Sequence, residues 1–284
     1  MHDIDKLISE MTLEEKAGLC SGADFWHTKK VDRLGIPDVM VSDGPHGLRK
    51  QDIDTVDPNE SIKAVCFPAA CATACSFDRE LMLSMGETLG EECRAEDVSV
   101  LLGPAVNIKR SPLCGRNFEY YSEDPLIAGK MGAAMVKGIQ SQHIAASVKH
   151  FAANNKETNR KHSDSRVSER ALREIYLKGF EIIVKEAQPW TIMSSYNAIN
   201  GHRASENREL LEDVLRGEWG FKGMVTTDWW TRAEHYKEIK AGNDVKMGTG
   251  FPERVKKAME MGQLGRPELE HCARRVLELI LKID

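Results

Sequence analysis

The chain has 284 residues, of which 41% are hydrophobic and 29% are charged, a composition typical of a globular protein with ample core. Its formal net charge of −5 and its one brief basic cluster, at residues 160–162, give no sign of a nucleic-acid or membrane partner. No stretch has the character of a signal peptide or a membrane span, so we expect a cytoplasmic protein.

The seven cysteines form an odd number scattered along the chain, which fits reduced thiols better than a disulfide framework. Cys66, Cys71 and Cys75 lie close together, but they lack the Cys-x-x-Cys spacing and the nearby histidines typical of zinc sites. We interpret these three as small buried hydrophobic residues. The sequence predicts no metal and no cofactor.

The first elements are helical. Apolar side chains recur at helical spacing over residues 4–19, and Thr12 stands three residues before Glu15, as in a capping box. This pattern predicts two short helices joined at Thr12. A short β run over residues 39–42 then ends on Asp43, before a Gly-Pro turn. Taken alone, Asp43 reads as a turn residue more readily than as a ligand.

The middle of the chain alternates between helical and strand-like patterns. Amphipathic spacing predicts a helix over residues 78–91, and helical spacing returns over residues 125–140. Between them, the apolar run at 98–104 predicts a strand covered on both faces. A polar loop with Asn107, Arg110 and Glu119 follows that strand. Such a group of amide and charged residues directly after a buried strand is an unusual way to solvate a loop.

The same pattern recurs twice more. The short strand predicted at residues 145–148 ends on Lys149 and His150, and the β run that begins at residue 190 ends on Tyr196 and Asn197. A helix capped by Ser168 is predicted between them, within residues 165–185. A further helix is predicted over 209–219, with a glycine at its C-terminal end.

The run at residues 224–227 ends abruptly on Asp228, which two tryptophans follow. Asp228 could simply cap the next predicted helix, over residues 232–240. An indole face beside a carboxylate, however, suits the apolar face of a sugar ring. We therefore favour a sugar-binding carboxylate. Helices over residues 253–261 and 267–283 complete the predicted elements.

Six strand-like runs thus alternate with helices, and polar residues gather at the end of each run. Alternation at this spacing predicts a parallel sheet, and polar groups at one end of every strand predict a site on that face. The expected fold is a TIM-like (β/α)8 barrel, regular or irregular, in a single domain over residues 1–284. A doubly wound open sheet is the alternative, but it usually carries a G-x-G-x-x-G turn, which the sequence lacks.

Several segments carry a more specific signal. They are Ser42-Asp-Gly-Pro45, Gly115-Arg-Asn-Phe-Glu119 with Ser122-Glu-Asp-Pro125, Lys149-His-Phe-Ala-Ala-Asn-Asn155, Val167-Ser-Glu-Arg-Ala-Leu-Arg-Glu-Ile-Tyr176, Met193-Ser-Ser-Tyr-Asn197, Thr227-Asp-Trp229 and Ala241-Gly-Asn-Asp244. In this order they resemble the N-terminal barrel domain of glycoside hydrolase family 3, particularly that of bacterial and yeast-type β-glucosidases. Each is weak alone, and their common order makes the resemblance specific.

The resemblance implies that Asp228 is the nucleophile of a retaining β-glucosidase and forms a glycosyl-enzyme intermediate. It implies that the sugar next to the scissile bond is bound or lined by Asp43, Arg116, Lys149, His150, Arg160, Tyr196, Met193 and Trp229. The chemistry agrees, because an oxocarbenium-like transition state needs a carboxylate beside its anomeric carbon. We also expect Lys149 and Arg116 to keep Asp228 ionised.

A retaining glycosidase also needs a group that protonates the leaving oxygen. The resemblance implies a glutamate from an α/β-sandwich domain that follows the barrel, whereas this chain ends with the barrel. We therefore expect the acid/base to be absent here and to come from such a domain or from another chain. Glu119 is a candidate within the chain, although the family places structural and binding residues there.

Two other functions stay open. Single-domain β-N-acetylhexosaminidases of the same family use a loop histidine near an Asp-Ser-His motif, and this chain has His162-Ser-Asp-Ser-Arg166, with the Asp-Ser but not the histidine. A sugar-binding module that turns nothing over is the third possibility. The expected partner in the first two cases is a β-linked glycoside or oligosaccharide. The sequence leaves the exact sugar and the oligomeric state open.

Overall fold

The structure is a computed structural model that describes residues 3–51 and 60–283. The strands in these ranges are β1 (Val41–Asp43), β2 (Val100–Leu102), β3 (Ala145–Phe151), β4 (Asp164–Ser165), β5 (Thr191–Ser194), β6 (Ala198–Ile199), β7 (His202–Arg203) and β8 (Met224–Thr227). The α-helices are α1 (Ile4–Glu10), α2 (Leu13–Leu19), α3 (Ala70–Thr73), α4 (Arg79–Ala95), α5 (Pro125–Ser141), α6 (Glu169–Ala171), α7 (Lys178–Ala187), α8 (His235–Lys240), α9 (Pro252–Glu260) and α10 (Arg266–Ile283). Segments with π-type turns lie at Leu172–Tyr176 and Glu209–Glu218, and 3₁₀ turns lie at Asp32–Leu34, Ala74–Ser76, Asn117–Glu119 and Ala204–Glu206.

The main sheet is parallel, and its strands follow one another in the order β1, β2, β3, β5, β8. Each new strand is added on the same side of the last one, as in a barrel, whereas a doubly wound sheet reverses its order at a switch point. The seven residues of β3 are all buried, because the sheet is covered on both faces. β4, β6 and β7 form a separate small sheet.

The circle closes through single bridges and not through regular strands. The bridges beyond β8 join Thr226 to Val245, Lys246 to Ser21 and His27 to Met40, next to β1. The last of these is antiparallel, so the chain before β1 does not follow the regular strand-helix repeat. The prediction of a TIM-like barrel is confirmed, in its irregular form.

Helices cover the outside of the sheet, and most of their predicted positions are confirmed. Thr12 and Glu15 form the predicted capping box at the start of α2, and the Ser168 side chain caps α6. One start differs, because α8 begins at His235, later than the pattern suggests. The chain before α8 is held in a loop, because the buried Lys246 ammonium donates to carbonyl oxygens within residues 231–233.

The interpretation of the clustered cysteines as buried is wrong. Cys66 and Cys75 are exposed and Cys71 is half-buried. For Cys71 and Cys75 the reason is helical spacing. Ala70 and Ala74 face the core, so the cysteine that follows each of them points outward. Over residues 3–51 and 60–283, no three His, Cys, Asp or Glu side chains are placed to hold a metal ion. No helix in those ranges is long and apolar enough to cross a membrane.

Candidate active site

The residues predicted to form the site line one cavity of about 280 Å³ at the carboxyl ends of the barrel strands. These residues are Asp43, Arg116, Lys149, His150, Arg160, Met193, Tyr196, Asp228 and Trp229. The fold explains the gathering, because the ends of parallel strands meet at one face of a barrel. Five of the nine lie in β1, β3 or β5 or directly after β8. Their individual roles stay predictions.

Asp228 follows the last residue of β8 and does not cap a helix, because α8 begins only at His235. Its Oδ1 atom accepts a hydrogen bond from the Trp229 backbone N–H at 2.7 Å. Its own N–H donates to the Ser194 carbonyl at 3.2 Å, which ties the residue to β5. The second carboxylate oxygen, Oδ2, lies 3.9 Å from His150 Nε2. One oxygen is thus anchored by the backbone, and the other lies beside the His150 ring, which lines the cavity.

The cavity holds two carboxylates whose pKa values move in opposite directions. Burial raises the pKa of Asp228, although the Trp229 N–H and the more distant Arg116 oppose the shift. At Asp43 burial acts the same way, but the Lys149 ammonium, 2.6 Å away, and the charges of Arg116 and Arg49 together outweigh it and lower the pKa. Lys149 and Arg116 lower the pKa of Asp228 too, in the direction expected, but burial is the larger effect there.

The three cations whose charges lower the pKa of Asp228 each have a carboxylate partner of their own. Lys149 is paired with Asp43, Arg116 with Glu119, and Arg160 with Glu157 at 3.0 Å. Among the described residues, the basic side chain that comes within 4.0 Å of the Asp228 carboxylate is the imidazole of His150, and no Lys or Arg nitrogen lies that close. Positive charge therefore surrounds Asp228 without covering it.

His150 is held rigidly from its main chain. Asn107 Oδ1 accepts from the His150 N–H, and Asn107 Nδ2 donates to the His150 carbonyl, each at 2.9 Å. Burial, and then the charges of Arg116 and Lys149, lower the pKa of His150 well below its usual value. The imidazole is consequently neutral at ordinary pH.

Tyr196 follows β5 and lines the cavity. Its hydroxyl donates to the Trp229 carbonyl at 2.6 Å. Burial, followed by the charge of Asp228, raises the pKa of the phenol, so it stays a hydrogen-bond donor. The guanidinium of Arg160 lies 4.9 Å from the ring centroid and the ammonium of Lys161 lies 5.0 Å from it. Both cations lie close enough to the ring for a cation–π interaction.

Sequence reasoning missed part of the cavity lining, namely Phe25, Trp26, Leu102, Lys161 and Trp230. Three of these join Trp229 in an aromatic group, with ring centroids 4.5 Å apart for Phe25 and Trp26 and 5.1 Å apart for Phe25 and Trp230. The Trp229 indole N–H donates to the Phe25 carbonyl at 2.7 Å. Adjacency to Asp228 was a usable signal for Trp230, whereas nothing in the local sequence links Phe25 to residues two hundred positions away.

Glu119, the acid/base candidate within the chain, does not line the cavity. It is 4% exposed, and its carboxylate accepts a hydrogen bond from the Arg116 side chain. Its position outside the cavity lining and its pairing with Arg116 give no support to an acid/base role for Glu119.

A parallel barrel with a carboxylate, several cations and aromatic rings at its C-terminal face belongs to the large class of barrel enzymes that act on small polar ligands. The comparison of protein families is more specific. The model described as Glycosyl hydrolase family 3 N terminal domain matches residues 12–279. The chain belongs to glycoside hydrolase family 3, as the sequence motifs indicated.

Individual relatives agree. The chain is 54% identical over 283 residues to thermostable beta-glucosidase B of Acetivibrio thermocellus, covering 99% of this chain and 37% of that protein. It is 47% identical over 279 residues to an exo-alpha-(1->6)-L-arabinopyranosidase of Bifidobacterium longum, covering 97% of this chain and 37% of that protein. The structure of beta-glucosidase 3B from Thermotoga neapolitana in complex with alpha-D-glucose matches 99% of this chain and 43% of its own, with 42% identity and a TM-score of 0.93. The chain thus spans well under half the length of these relatives.

Proposed function

We propose that this chain is the nucleophile-bearing barrel of a retaining β-glucosidase, which releases terminal β-D-glucosyl residues by double displacement. The observation that carries the proposal is Asp228: a buried carboxylate with one oxygen anchored by a backbone N–H and the other facing a cavity lined by donors and aromatic rings. Family membership and the names of the relatives support the same reaction.

The surroundings of Asp228 suit the first displacement. The anchored Oδ1 fixes the carboxylate, so Oδ2 is the atom that attacks the anomeric carbon and forms the glycosyl ester. Positive charge from Arg116 and Lys149 stabilises the ionised nucleophile without bonding to it directly. A hexose also needs both donors and acceptors for its hydroxyls, and the Lys149–Asp43 pair offers one of each.

Protonation of the leaving oxygen needs another group. Among the described residues that line the cavity, the carboxyls are Asp43 and Asp228. The pKa of Asp43 is lowered by its ion pair with Lys149, which makes it a poor acid. We propose that the acid/base comes from outside these residues, from a further domain or a second chain.

The test uses a 2-deoxy-2-fluoro-β-glucoside with a dinitrophenolate leaving group, which needs a nucleophile but little proton donation. We expect the intact mass of the chain to rise by one fluoroglucosyl group, and peptide mapping to place that group on Asp228. A folded chain that gains no adduct, or gains it at another residue, would contradict the assignment. Glucosides with poor leaving groups should be hydrolysed far more slowly than dinitrophenyl glucosides.

A second candidate substrate is an α-L-arabinopyranoside, because the relative from Bifidobacterium longum carries that activity in its name. Both sugars offer a pyranose ring with equatorial hydroxyls on carbons 2 and 3, so the same donors can serve both. Parallel rates with dinitrophenyl β-glucoside and α-L-arabinopyranoside decide between them. Faster release from the arabinoside would move the proposal to that substrate.

The two other functions have separate outcomes. Among the described lining residues His150 is the only histidine, and it lies on a barrel strand and not on a loop, which gives the hexosaminidase mechanism no support. Turnover of an aryl N-acetylglucosaminide without turnover of the glucoside would favour it nevertheless. Glucose binding by calorimetry without any covalent adduct would favour a sugar-binding module.

A further inference from the structure

A row of buried polar groups lies behind His150, on the side of the imidazole turned away from Asp228. The His150 Nδ1 atom lies 3.4 Å from the Tyr120 hydroxyl, and that hydroxyl lies 3.2 Å from Asn154 Nδ2. The same Nδ2 atom lies 3.3 Å from Glu157 Oε1. His150, Tyr120 and Asn154 are each at most 1% exposed, so bulk water does not compete for these contacts.

The carboxylate at the end of the row sets the direction of every hydrogen bond in it. The Glu157 carboxylate also accepts from the Arg160 guanidinium at 3.0 Å, so it serves as the acceptor at this end of the row. The Asn154 group that faces it must therefore be the NH₂ group, because the opposite orientation would set two oxygens against each other. Since that same nitrogen contacts the Tyr120 oxygen, Tyr120 accepts from Asn154. The one hydrogen of the Tyr120 hydroxyl is left for His150 Nδ1.

We propose that Tyr120 and Asn154 are positioning residues that hold His150 in the tautomer with its hydrogen on Nε2. Nδ1 accepts from Tyr120 and so carries no hydrogen. The opposite side of the ring leads to the same tautomer. In the other tautomer Nε2 carries no hydrogen, and its lone pair would point at the Asp228 carboxylate, 3.9 Å away. An N–H at that position is attracted to the carboxylate instead. The lowered pKa of His150 is consistent with this proposal, because only a neutral ring has two tautomers to choose between.

The tautomer decides which polar group a ligand meets beside Asp228, and this step rests on the proposed function. A sugar hydroxyl at about 2.8 Å from both Nε2 and Oδ2 fits the 3.9 Å gap between them at an angle. With hydrogen on Nε2, the hydroxyl accepts from His150 and donates to Asp228. With hydrogen on Nδ1, it would face two acceptors and could satisfy only one.

The direct test is nuclear magnetic resonance of the chain labelled with ¹⁵N-histidine. Long-range ¹H–¹⁵N correlations distinguish protonated from unprotonated ring nitrogens, and His150→Asn assigns the signals among the nine histidines. We expect an unprotonated Nδ1 and a protonated Nε2 at His150. A protonated Nδ1 in the unaltered chain would overturn the inference without any variant.

Variants then test the cause. Tyr120→Phe removes the donor, so we expect the Nδ1 signal to move toward the protonated form and the rate of fluoroglucosyl labelling to fall about tenfold. Tyr121→Phe is the matched control, because Tyr121 is a neighbouring tyrosine, 3% exposed, that packs in the core and not in this row. Asn154→Leu, which leaves the Tyr120 hydroxyl free to turn, should give a smaller shift of the same sign. An unchanged tautomer in Tyr120→Phe would refute the role of Tyr120.

The two readouts separate this inference from the proposed function. If the unaltered chain shows the expected tautomer but is never labelled, the proposed reaction fails and the positioning role stands. If the chain is labelled at Asp228 while Nδ1 is protonated, the reaction stands and the positioning role fails. A labelling rate that falls in Tyr120→Phe with no change at Nδ1 indicates general damage to packing, and also counts against it.

Discussion

Two buried aspartates lie at opposite ends of β8, and their partners differ. At the start of the strand, Asp244 Oδ2 accepts from the Val225 N–H at 2.7 Å and from Arg216 at 2.8 Å, and Oδ1 accepts from Arg275 at 3.1 Å. At the other end, the Asp228 carboxylate accepts a hydrogen bond at Oδ1 from the Trp229 backbone N–H, and no arginine or lysine of the described residues bonds to it. The Asp244 side chain is fully buried, whereas 12% of the Asp228 side chain is exposed in the cavity.

On the proposed function, the difference separates a structural carboxylate from a reactive one. Both are buried among cations, so burial and local charge alone do not distinguish them. At the start of β8 two arginines bond directly to Asp244 and contact both of its oxygens. At the end of β8, Lys149, Arg116 and Arg160 are each paired with a different carboxylate, and their charge reaches Asp228 only through space. A nucleophile needs a stabilised charge and an uncovered oxygen, and the second arrangement suits both needs.

Asp228→Asn gives the largest expected effect and tests the carboxylate at the end of β8. We expect the rate of fluoroglucosyl labelling to fall by about 10⁴-fold or more, because the attacking oxygen is replaced by a weak nucleophile. Stability should be unchanged or slightly higher, since a desolvated charge is removed. The measurements are labelling followed by intact mass, and urea unfolding. Asp213→Asn, at an exposed position, is the control. A variant that keeps labelling would place the nucleophile elsewhere.

Asp244→Asn tests the carboxylate at the start of β8. We expect a loss of about 3–5 kcal/mol in the free energy of unfolding, because two half-buried arginines lose the fully buried carboxylate that bonds to both. Urea unfolding followed by circular dichroism measures this loss. The fraction that stays folded should still be labelled at Asp228. Equal stability of Asp244→Asn and Asp228→Asn would remove the distinction between the two ends.

The pH dependence of stability sharpens the contrast within the cavity. Burial raises the pKa of Asp228 above its usual 3.8, so from about that pH upward the unfolded chain releases a proton that the folded chain keeps. The contribution of Asp228 to stability therefore falls with rising pH over this window, and the relative gain from Asp228→Asn should grow until the raised pKa is passed. Urea midpoints across this pH range, for the chain and the variant, measure the gain. A gain independent of pH would contradict the raised pKa.

Asp43→Asn should show the opposite sign. The pKa of Asp43 is lowered, since Lys149 together with Arg116 and Arg49 outweighs the effect of burial. Its contribution to stability is thus complete above the usual value of 3.8 and is lost as the pH falls through the lowered pKa. We expect the loss caused by the variant to shrink toward acid pH, in the same urea series. A loss that grows toward acid pH would mean that burial dominates at Asp43 as it does at Asp228.

The regular part of the fold was predictable from local pattern. Continuous apolar runs gave the buried strands, and the capping box of Thr12 and Glu15 gave a helix boundary. The closure of the barrel was not predictable, because it rests on single bridges such as Ser21 to Lys246, between segments without strand character. The late start of α8 also escaped prediction, since the tertiary contacts of Lys246 override the local helical pattern.

The site divides in the same way. Residues at strand ends, such as Asp43 and Asp228, were recognisable because the pattern of a β run that ends on a polar group recurs along the chain. Phe25 was not, since its place beside Trp229 depends on how the chain before β1 closes the barrel. The outward direction of Cys75 and the dominance of burial over charge at Asp228 required coordinates, because both depend on what surrounds the side chain.

Glu212→Gln gives the smallest expected effect. It tests whether the direct bonds of Asp244, and not charge alone, stabilise the barrel at the start of β8. Glu212 pairs with Arg275 at 2.9 Å, but its side chain is 23% exposed and Arg275 keeps Asp244 as a second partner. We expect a loss of only about 0.2–1 kcal/mol in unfolding free energy, reduced further by salt, and no change in labelling. Urea unfolding at low and high salt measures it. A loss as large as that of Asp244→Asn would mean that the net charge of the cluster, and not the fully bonded aspartate at its centre, stabilises this end of the barrel.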